Sequence, residues 1–218
     1  MSNTNLSNTE EKLNLVYFLD GKTYINITNA CTNSCVFCLR NDKDDVKGAY
    51  MWHKGAKITA DDVIAQIKEK KENIKDEIVF CGYGEPLARY SEVIEVAKYI
   101  RKNMADLKIK INTNGHGNFI AKRNIVTELA PLVDSISISL NAQNEEVYNK
   151  ISKPSFEGAY KAMLDFAKLC VEEGIDTTLS VVSGFKPEVY SVDVEACKEI
   201  ALNLGAKFRA REWIQNGY

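Results

Sequence analysis

Along nearly its whole length this chain alternates between two hydrophobic periods, and that alternation constrains the fold more than any other feature. Short β-branched runs take turns with longer stretches whose apolar residues recur every three or four positions. Leu15–Leu19 and Lys22–Thr28 flank Asp20-Gly21, which predicts a β-hairpin. Thr59 predicts a helix N-cap, followed by Val63, Ile64, Ile67 and Ile74 at helical spacing. Ile78–Cys81 is a continuous apolar run, the signature of a strand buried on both faces. A helix starting at Ser91 carries Val93, Val96, Ala97 and Ile100 on one face, and Lys108–Asn114 follows as a strand. Then come a helix near Ile120–Leu129, a strand over Ser135–Asn141, and a helical stripe of Phe156, Ala159, Met163, Phe166 and Cys170. Thr177–Val182 is β-rich; Cys197, Ile200, Ala201 and Leu204 mark a last helix ended by Gly205; Phe208–Trp213 closes the pattern.

Strand–helix alternation implies right-handed βαβ units and a parallel sheet. The units number about six, fewer than the eight of a closed TIM barrel. The expected class is α/β, as an open or partial (β/α)6 TIM-like barrel with an N-terminal β-hairpin. A flat doubly wound sheet is the alternative. No Pro/Gly/Ser-rich linker or repeat divides the chain, so residues 13–218 are expected to form one domain behind a flexible polar tail at 1–12.

The strands have unequal faces. Ile136, Ile138 and Leu140 alternate with Ser137, Ser139 and Asn141; Ile109 and Ile111 with Lys110, Asn112 and Asn114. Ile25 and Ile27 alternate with Asn26 and Thr28, and Phe208 and Ala210 with Arg209 and Arg211. A parallel sheet covered by helices has no solvated face. Burying this many polar groups without partners would cost several kcal/mol. The inner face is therefore expected to line a wet cavity that holds a polar ligand.

Of 218 residues, 45% are hydrophobic, and the formal net charge is −2. That balance lacks the basic excess of a general nucleic-acid binder. The polar start shows no secretory signal. No segment approaches the ~20 apolar residues of a membrane span. The expected setting is cytoplasmic, without membrane contact, where thiols stay reduced; the six cysteines then point to metal binding, catalysis or core packing.

The sharpest motif is Cys31-Thr-Asn-Ser-Cys35-Val-Phe-Cys38, in the loop after the strand Tyr24–Thr28. Barrel active sites sit at that carboxyl end. Three thiolates on one tight loop suit three irons of a [4Fe–4S] cubane and leave the fourth without a protein ligand. An open metal position is a property of catalytic rather than structural centres. A structural zinc site would need a fourth ligand. His53 and His116 lack finger-like spacing, and Cys81, Cys170 and Cys197 are isolated, the last two on apolar helix stripes.

At these residues the sequence resembles the radical S-adenosylmethionine (SAM) superfamily, in which an aromatic, here Phe37, precedes the last cysteine. More narrowly, Asn26-Ile-Thr-Asn, Phe80-Cys-Gly-Tyr-Gly-Glu-Pro86, Asn112-Thr-Asn-Gly115, Ser137-Ile-Ser-Leu-Asn141 and Phe208-Arg-Ala-Arg-Glu212 resemble the short radical SAM proteins associated with TatD nucleases. The resemblance implies a [4Fe–4S] cluster on Cys31, Cys35 and Cys38, and SAM as cofactor. It implies that Gly82, Gly84 and Glu85 meet the amino group of SAM, a charge-assisted contact for the carboxylate. The plain alternative is a turn with a surface glutamate.

Ser139 and Asn141 suit ribose hydroxyls. Asn114 suits the methionine carboxylate or a substrate, and Val181 or Val182, with the backbone near Phe37, an apolar wall for adenine. Arg209 and Arg211, with Lys110 on the polar face of its own strand, either pair with Glu212 or Glu85 or grip an anion, SAM's carboxylate or an acidic substrate. Arg40 is placed to offset the charge of a cluster. The insertion Asn41–Lys57, with Tyr50, Met51, Trp52 and His53, is either a substrate lid or a packed surface loop.

The family chemistry implied is reductive cleavage of SAM to a 5′-deoxyadenosyl radical, which abstracts hydrogen from a small or anionic substrate, free or presented by a partner. An electron donor such as flavodoxin or ferredoxin is implied, and a functional link to a TatD-family nuclease. The reading from another class is a non-catalytic iron–sulfur or zinc module that senses redox state or binds a partner.

Overall fold

The computed structural model describes residues 13–213, so the tail expected at 1–12 lies outside the described residues. β1 (Val16–Leu19) and β2 (Lys22–Ile25) form the hairpin. The cluster loop and a small ribbon, β3 (Asp45–Val46) with β4 (Ala49–Tyr50), follow. Then come α1 (Ala60–Glu69), β5 (Glu77–Phe80), α2 (Tyr90–Asn103), β6 (Lys108–Thr113), α3 (Gly117–Ala121), α4 (Val126–Leu129) and β7 (Ser135–Ser139). The chain continues through α5 (Glu145–Ser152), α6 (Ala159–Glu172), β8 (Asp176–Ser183), α7 (Val194–Asn203) and β9 (Lys207–Glu212).

Seven strands make one sheet in the order β1-β2-β5-β6-β7-β8-β9. Only β1 and β2 pair antiparallel; every later pairing is parallel. The two edge strands, β1 and β9, do not pair with each other, so the barrel stays open. The expected hairpin and the run of six parallel strands are both present.

Helix faces meet the apolar rows of the strands. Val63 and Ile67 of α1, Val93, Val96, Ala97 and Ile100 of α2, and Met163, Phe166, Ala167 and Cys170 of α6 are buried in one cluster with Ile78, Phe80, Ile109, Ile111, Ile136, Ile138, Leu179 and Val181. Register explains the sorting. Ile78 pairs with Ile109, Phe80 with Ile111 with Ile136, and Ile138 with Leu179, so each apolar residue sits beside another on the helix-covered face. The intervening residues necessarily face the other way. No helix among the described residues is long and apolar enough to cross a membrane.

The structure departs from the sequence expectation in several helices: Ile74 lies beyond α1 and Phe156 before α6. The helix expected near Ile120–Leu129 is two short helices, because Lys122 takes a left-handed φ of 54°. Asn118 and Asn124 then accept hydrogen bonds from the amides of Ile125 and Val126 to start the second. The helix expected from Ser91 starts at Tyr90, directly after a 3-10 turn over Pro86–Arg89. Finally, α5 was not foreseen; Asn144 caps it by accepting from the amide of Val147.

Thr59 is the expected cap of α1. Its hydroxyl accepts from the amide of Asp62 at 3.2 Å, and the Asp62 carboxylate accepts from the amide of Thr59 at 2.8 Å. Thr59→Ala removes the hydroxyl half of this capping box and leaves the backbone amide of residue 59 to Asp62, and a loss of about 1 kcal/mol is expected in urea denaturation.

Candidate active site

The cysteine loop leaves the carboxyl end of β2 and is held on every side. Ser34 and Val36 donate to the carbonyls of Ser152 and Ile151 at the end of α5, at 3.0 and 2.9 Å, and Ser155 donates to the carbonyl of Thr32 at 2.9 Å. Arg40 reaches back over the loop. Its guanidinium donates to the carbonyls of Asn29, Asn33 and Tyr83 at 3.1–3.3 Å. Arg40 thus clamps the loop to the glycine turn after β5. Its charge also draws the Cys31 and Cys35 thiols down, against the burial that pushes both up, Cys35 to about 12.

None of the three thiols is in a disulfide, and all are partly accessible. Among the described residues, no three histidine, cysteine or carboxylate side chains converge as on a single ion. A cubane puts each thiolate on its own iron and asks for sulfurs along one loop rather than around one point. His116 is no fourth zinc ligand. Its Nδ1 bonds Thr32 Oγ1 at 2.8 Å, its Nε2 lies 3.2 Å from Tyr148 Oη and from the carbonyl of Ala159, and burial lowers its pKa to about 4.

The glycine turn is pressed against β2 and its loop. A Cβ on Gly82 would stand 2.0 Å from Asn26 Oδ1, and one on Gly84 2.3 Å from the carbonyl oxygen of Thr28. These glycines admit a neighbouring loop as well as any ligand. Asn26 completes the joint: its Oδ1 accepts from the amide of Tyr83, and its Nδ2 donates to the carbonyl of Met51 at 2.7 Å.

Glu85 is 2% exposed and is not the surface carboxylate of a plain turn. Its Oε1 accepts from Thr113 Oγ1 at 2.6 Å and from the amide of Leu87 at 2.9 Å; its Oε2 accepts from the amide of Asn114 at 2.6 Å. The carboxylate therefore ties the ends of β5 and β6 together, and Oε2 keeps capacity for a further donor. Burial raises its pKa to about 7, against the pull of these three bonds. Asn114, next along, turns its Nδ2 to Thr32 Oγ1 at 2.8 Å and to the Cys31 sulfur at 3.8 Å.

A cavity of about 370 Å3 opens beside the loop. Phe37, Cys38, Gly82, Ser139 and Arg211 line it. Gly84, Glu85, Asn114, Asn141 and Val181 are not in its lining. Val181 is fully buried in the helix-side core, and Val182, one residue on, takes the cavity face. The pleat decides this: Ser139 pairs with Ser180, and Val182 is two residues beyond on the same face. Asn141 does not end β7, which stops at Ser139; it follows in a left-handed conformation, φ 61°. It is buried, its Nδ2 donates to Ser152 Oγ at 3.2 Å, and its Oδ1 has no partner. A smaller space of about 110 Å3 lies between Phe37, Ile151, Val182, Phe185 and Tyr190.

A model of the radical SAM superfamily matches residues 25–191. The chain belongs to the radical SAM superfamily. Members are enzymes, and a [4Fe–4S] cluster and SAM are implied by membership. The chain is 24% identical over 143 residues to the GTP 3′,8-cyclase of Paenarthrobacter nicotinovorans, covering 66% of this chain and 38% of that protein. It is 24% identical over 139 residues to the dual-specificity RNA methyltransferase RlmN of Halorhodospira halophila, covering 60% and 35%. The chain thus spans well under half the length of these curated relatives. In fold it is similar to Streptococcus suis SuiB in its SAM-bound crystal structure, with TM-score 0.62, 15% identity, and 88% of this chain against 40% of that one covered.

This radical SAM chain also has cavity walls that its motifs do not announce. Tyr17 and Leu19 of the hairpin and Val46 and Met51 of the insertion line the space and pack into one apolar cluster with Tyr83. The insertion is thus a wall of the site rather than a detached surface loop. Cys81 faces the cavity too, hydrogen-bonded to the Asn112 side chain. The signal for Tyr17 and Leu19 was their two-residue spacing in a strand next to a polar face.

An ordinary glutamate ionises near 4.5, so raising the folded value to about 7 makes ionised Glu85 a cost that the unfolded chain does not bear. That cost is full above the folded value and fades as pH falls through it toward the ordinary one. Between about pH 8 and about pH 5.5 the wild type should gain about 2 kcal/mol relative to Glu85→Gln. Urea midpoints of the two metal-free proteins at both pH values check this.

Proposed function

We propose that this chain is a radical SAM enzyme in which Cys31, Cys35 and Cys38 hold a [4Fe–4S] cluster and SAM binds at the iron they leave free. The cavity of about 370 Å3 would hold the substrate from which hydrogen is taken. The observation that carries this is the placement of three disulfide-free thiols on one clamped loop, with Cys38 and Phe37 in the wall of a cavity that Ser139 and Arg211 also line. When bound, the cluster and SAM supply a 5′-deoxyadenosyl radical after reduction by one electron.

The chain's own residues bind and orient. The loop carbonyls are spoken for by Arg40, which fixes the spacing of the thiols. Asn114 and the amide of Asn33 both point hydrogens at the Cys31 sulfur, and such bonds tune a cluster's potential. Glu85, with Oε2 still able to accept, and the glycine turn are assigned to the ammonium end of SAM. The unpartnered, buried Oδ1 of Asn141 and the hydroxyl of Ser139 are assigned to the ribose hydroxyls, since a buried acceptor without a donor is costly until one arrives. The aromatic space between Phe37, Val182, Phe185 and Tyr190 has the apolar walls that adenine needs, which moves the valine role from Val181 to Val182. Tyr17, Leu19, Val46 and Met51 exclude water on the far side.

The reductant is a low-potential carrier such as flavodoxin or ferredoxin, and the setting a reducing cytoplasm. The narrower likeness to the TatD-associated radical SAM proteins supports a functional link to a nuclease of that class.

Anaerobic reconstitution with iron and sulfide, then reduction in the presence of SAM, tests the proposal. The wild type should bind close to one cubane and release 5′-deoxyadenosine, read by mass spectrometry; a chain that loads a cluster but never cleaves SAM would be a redox-sensing or partner-binding module instead. Cys35→Ala should abolish both the iron content and the cleavage. Asn141→Ala should keep its iron while binding SAM about three- to tenfold more weakly, the share of a single hydrogen bond.

A further inference from the structure

Strand register divides the sheet's side chains between two faces, and on the cavity face the charges do not balance. From Ser139 the row runs through its partner Ser180 to Arg209, and Arg211 lies two residues further on the same face. Lys110 pairs with Ser135, four residues before Ser139, so it shares that face. Six cations on this face can be compared. Lys22 is paired with Glu77 and Lys207 with Asp176, each at 2.8 Å, and Lys108 with Asp134 at 3.1 Å. Lys110, Arg209 and Arg211 have no side-chain hydrogen bond or ion pair among the described residues.

The acids expected to neutralise them form no ion pair with them. Glu85 accepts from Thr113, Asn114 and Leu87, and Glu212, which lines the same cavity as Arg211, pairs with neither arginine among the described residues. Arg211 lines the cavity, and its Nε is shut off from water with nothing to donate to. Arg211 and Lys110, from strands β9 and β6, both act electrostatically on Cys81 between them, while Arg209 acts on Lys22 and is exposed at the open edge. Withdrawing unpaired cations from water is unfavourable unless an anion comes to meet them.

SAM does not supply that anion. It brings one carboxylate against two cationic groups, a sulfonium and an ammonium, so its arrival leaves the cavity no less positive. Resting on the radical SAM reading above, we propose that Lys110, Arg209 and Arg211 form the recognition site for a substrate bearing two or more negative charges, as phosphate or carboxylate groups. Arg209 meets the substrate at the gap between β1 and β9. Arg211 and Lys110 then hold its anionic groups in the interior, and the apolar wall of Tyr17, Leu19 and Met51 takes the rest. The guanidinium of Arg211 offers the planar fork that suits either oxyanion.

The test is a low-salt calorimetric titration of the reconstituted, SAM-saturated protein with two probes, inorganic pyrophosphate and citrate. Saturable binding of at least one is expected. That binding should weaken at least tenfold in Arg211→Gln and in Lys110→Gln, and less, about three- to tenfold, in Arg211→Lys, which keeps the charge and loses the fork. SAM affinity, measured separately, should change less than threefold in all three variants. A preference for pyrophosphate marks a phosphate substrate and a preference for citrate a carboxylate. The proposal is overturned if the wild type binds neither probe saturably, or if both glutamine variants bind as the wild type does. It is equally overturned if Arg211→Gln loses SAM as strongly as it loses the probes, which would give the cation to SAM's carboxylate. Should a glutamine variant fail to fold, Arg211→Lys and the salt dependence of probe binding to the wild type decide in its place; binding that ignores salt overturns the proposal. The titration is repeated on the metal-free chain, because these cations need no cluster. A protein that cleaves SAM but binds no anion refutes this inference alone, and one that binds the anion but cannot load iron refutes only the cluster.

Discussion

A strand turns successive side chains to opposite sides, and a parallel sheet wrapped by helices can give only one of those sides to the core. Most of this molecule follows from that constraint. Ile109, Ile111, Ile136, Ile138, Leu179 and Val181 take the helix side and are sealed under α2, α6 and their neighbours. Lys110, Asn112, Ser137, Ser139, Val182 and Arg211 are left with the other side, where only a cavity can receive them. The open gap between β1 and β9 gives that polar face access to water and to ligands.

At the carboxyl ends of the strands, three chain segments meet on a small set of polar side chains. Asn26 joins β2 to the glycine turn and to the insertion. Glu85 joins that turn to the end of β6. Asn114 and His116 join β6 to the cysteine loop through Thr32. Each bond is made where the backbone runs out of strand partners, so the groups that hold the site together also satisfy the strand ends. The same economy explains why Glu85 can be buried as a carboxylate at all: three donors offset part of its desolvation, and the raised pKa records the remainder.

Much of this was legible in the residues. Period-two alternation marks the polar face of each strand, and the C-x3-C-x2-C spacing places a thiol-rich loop after the first parallel strand. Hydrophobic period alone could not choose between Val181 and Val182, because an unbroken apolar run carries no face of its own; the pairing of Ser139 with Ser180 made the choice. Nor could it show that the chain turns left-handed at Asn141, which takes that side chain off the strand and onto Ser152. The break at Lys122 and the extra helix α5 were missed for a similar reason. Both depend on asparagine side chains capping amides a few residues away, and those bonds are weak signals in a sequence that is polar there.

The sequence by itself determined the alternation of strands and helices, the polar and apolar faces of each strand, and the three thiols on one loop, because these are local properties of spacing and composition. Only the tertiary structure decided which segments meet. It set the hairpin and the insertion as a wall of the cavity, buried Glu85 between two strand ends, and brought Lys110 and Arg211 from separate strands within electrostatic reach of Cys81 with no ion pair to an acid among the described residues. Those contacts join residues tens of positions apart, and their energies depend on burial and on partners that no local pattern encodes.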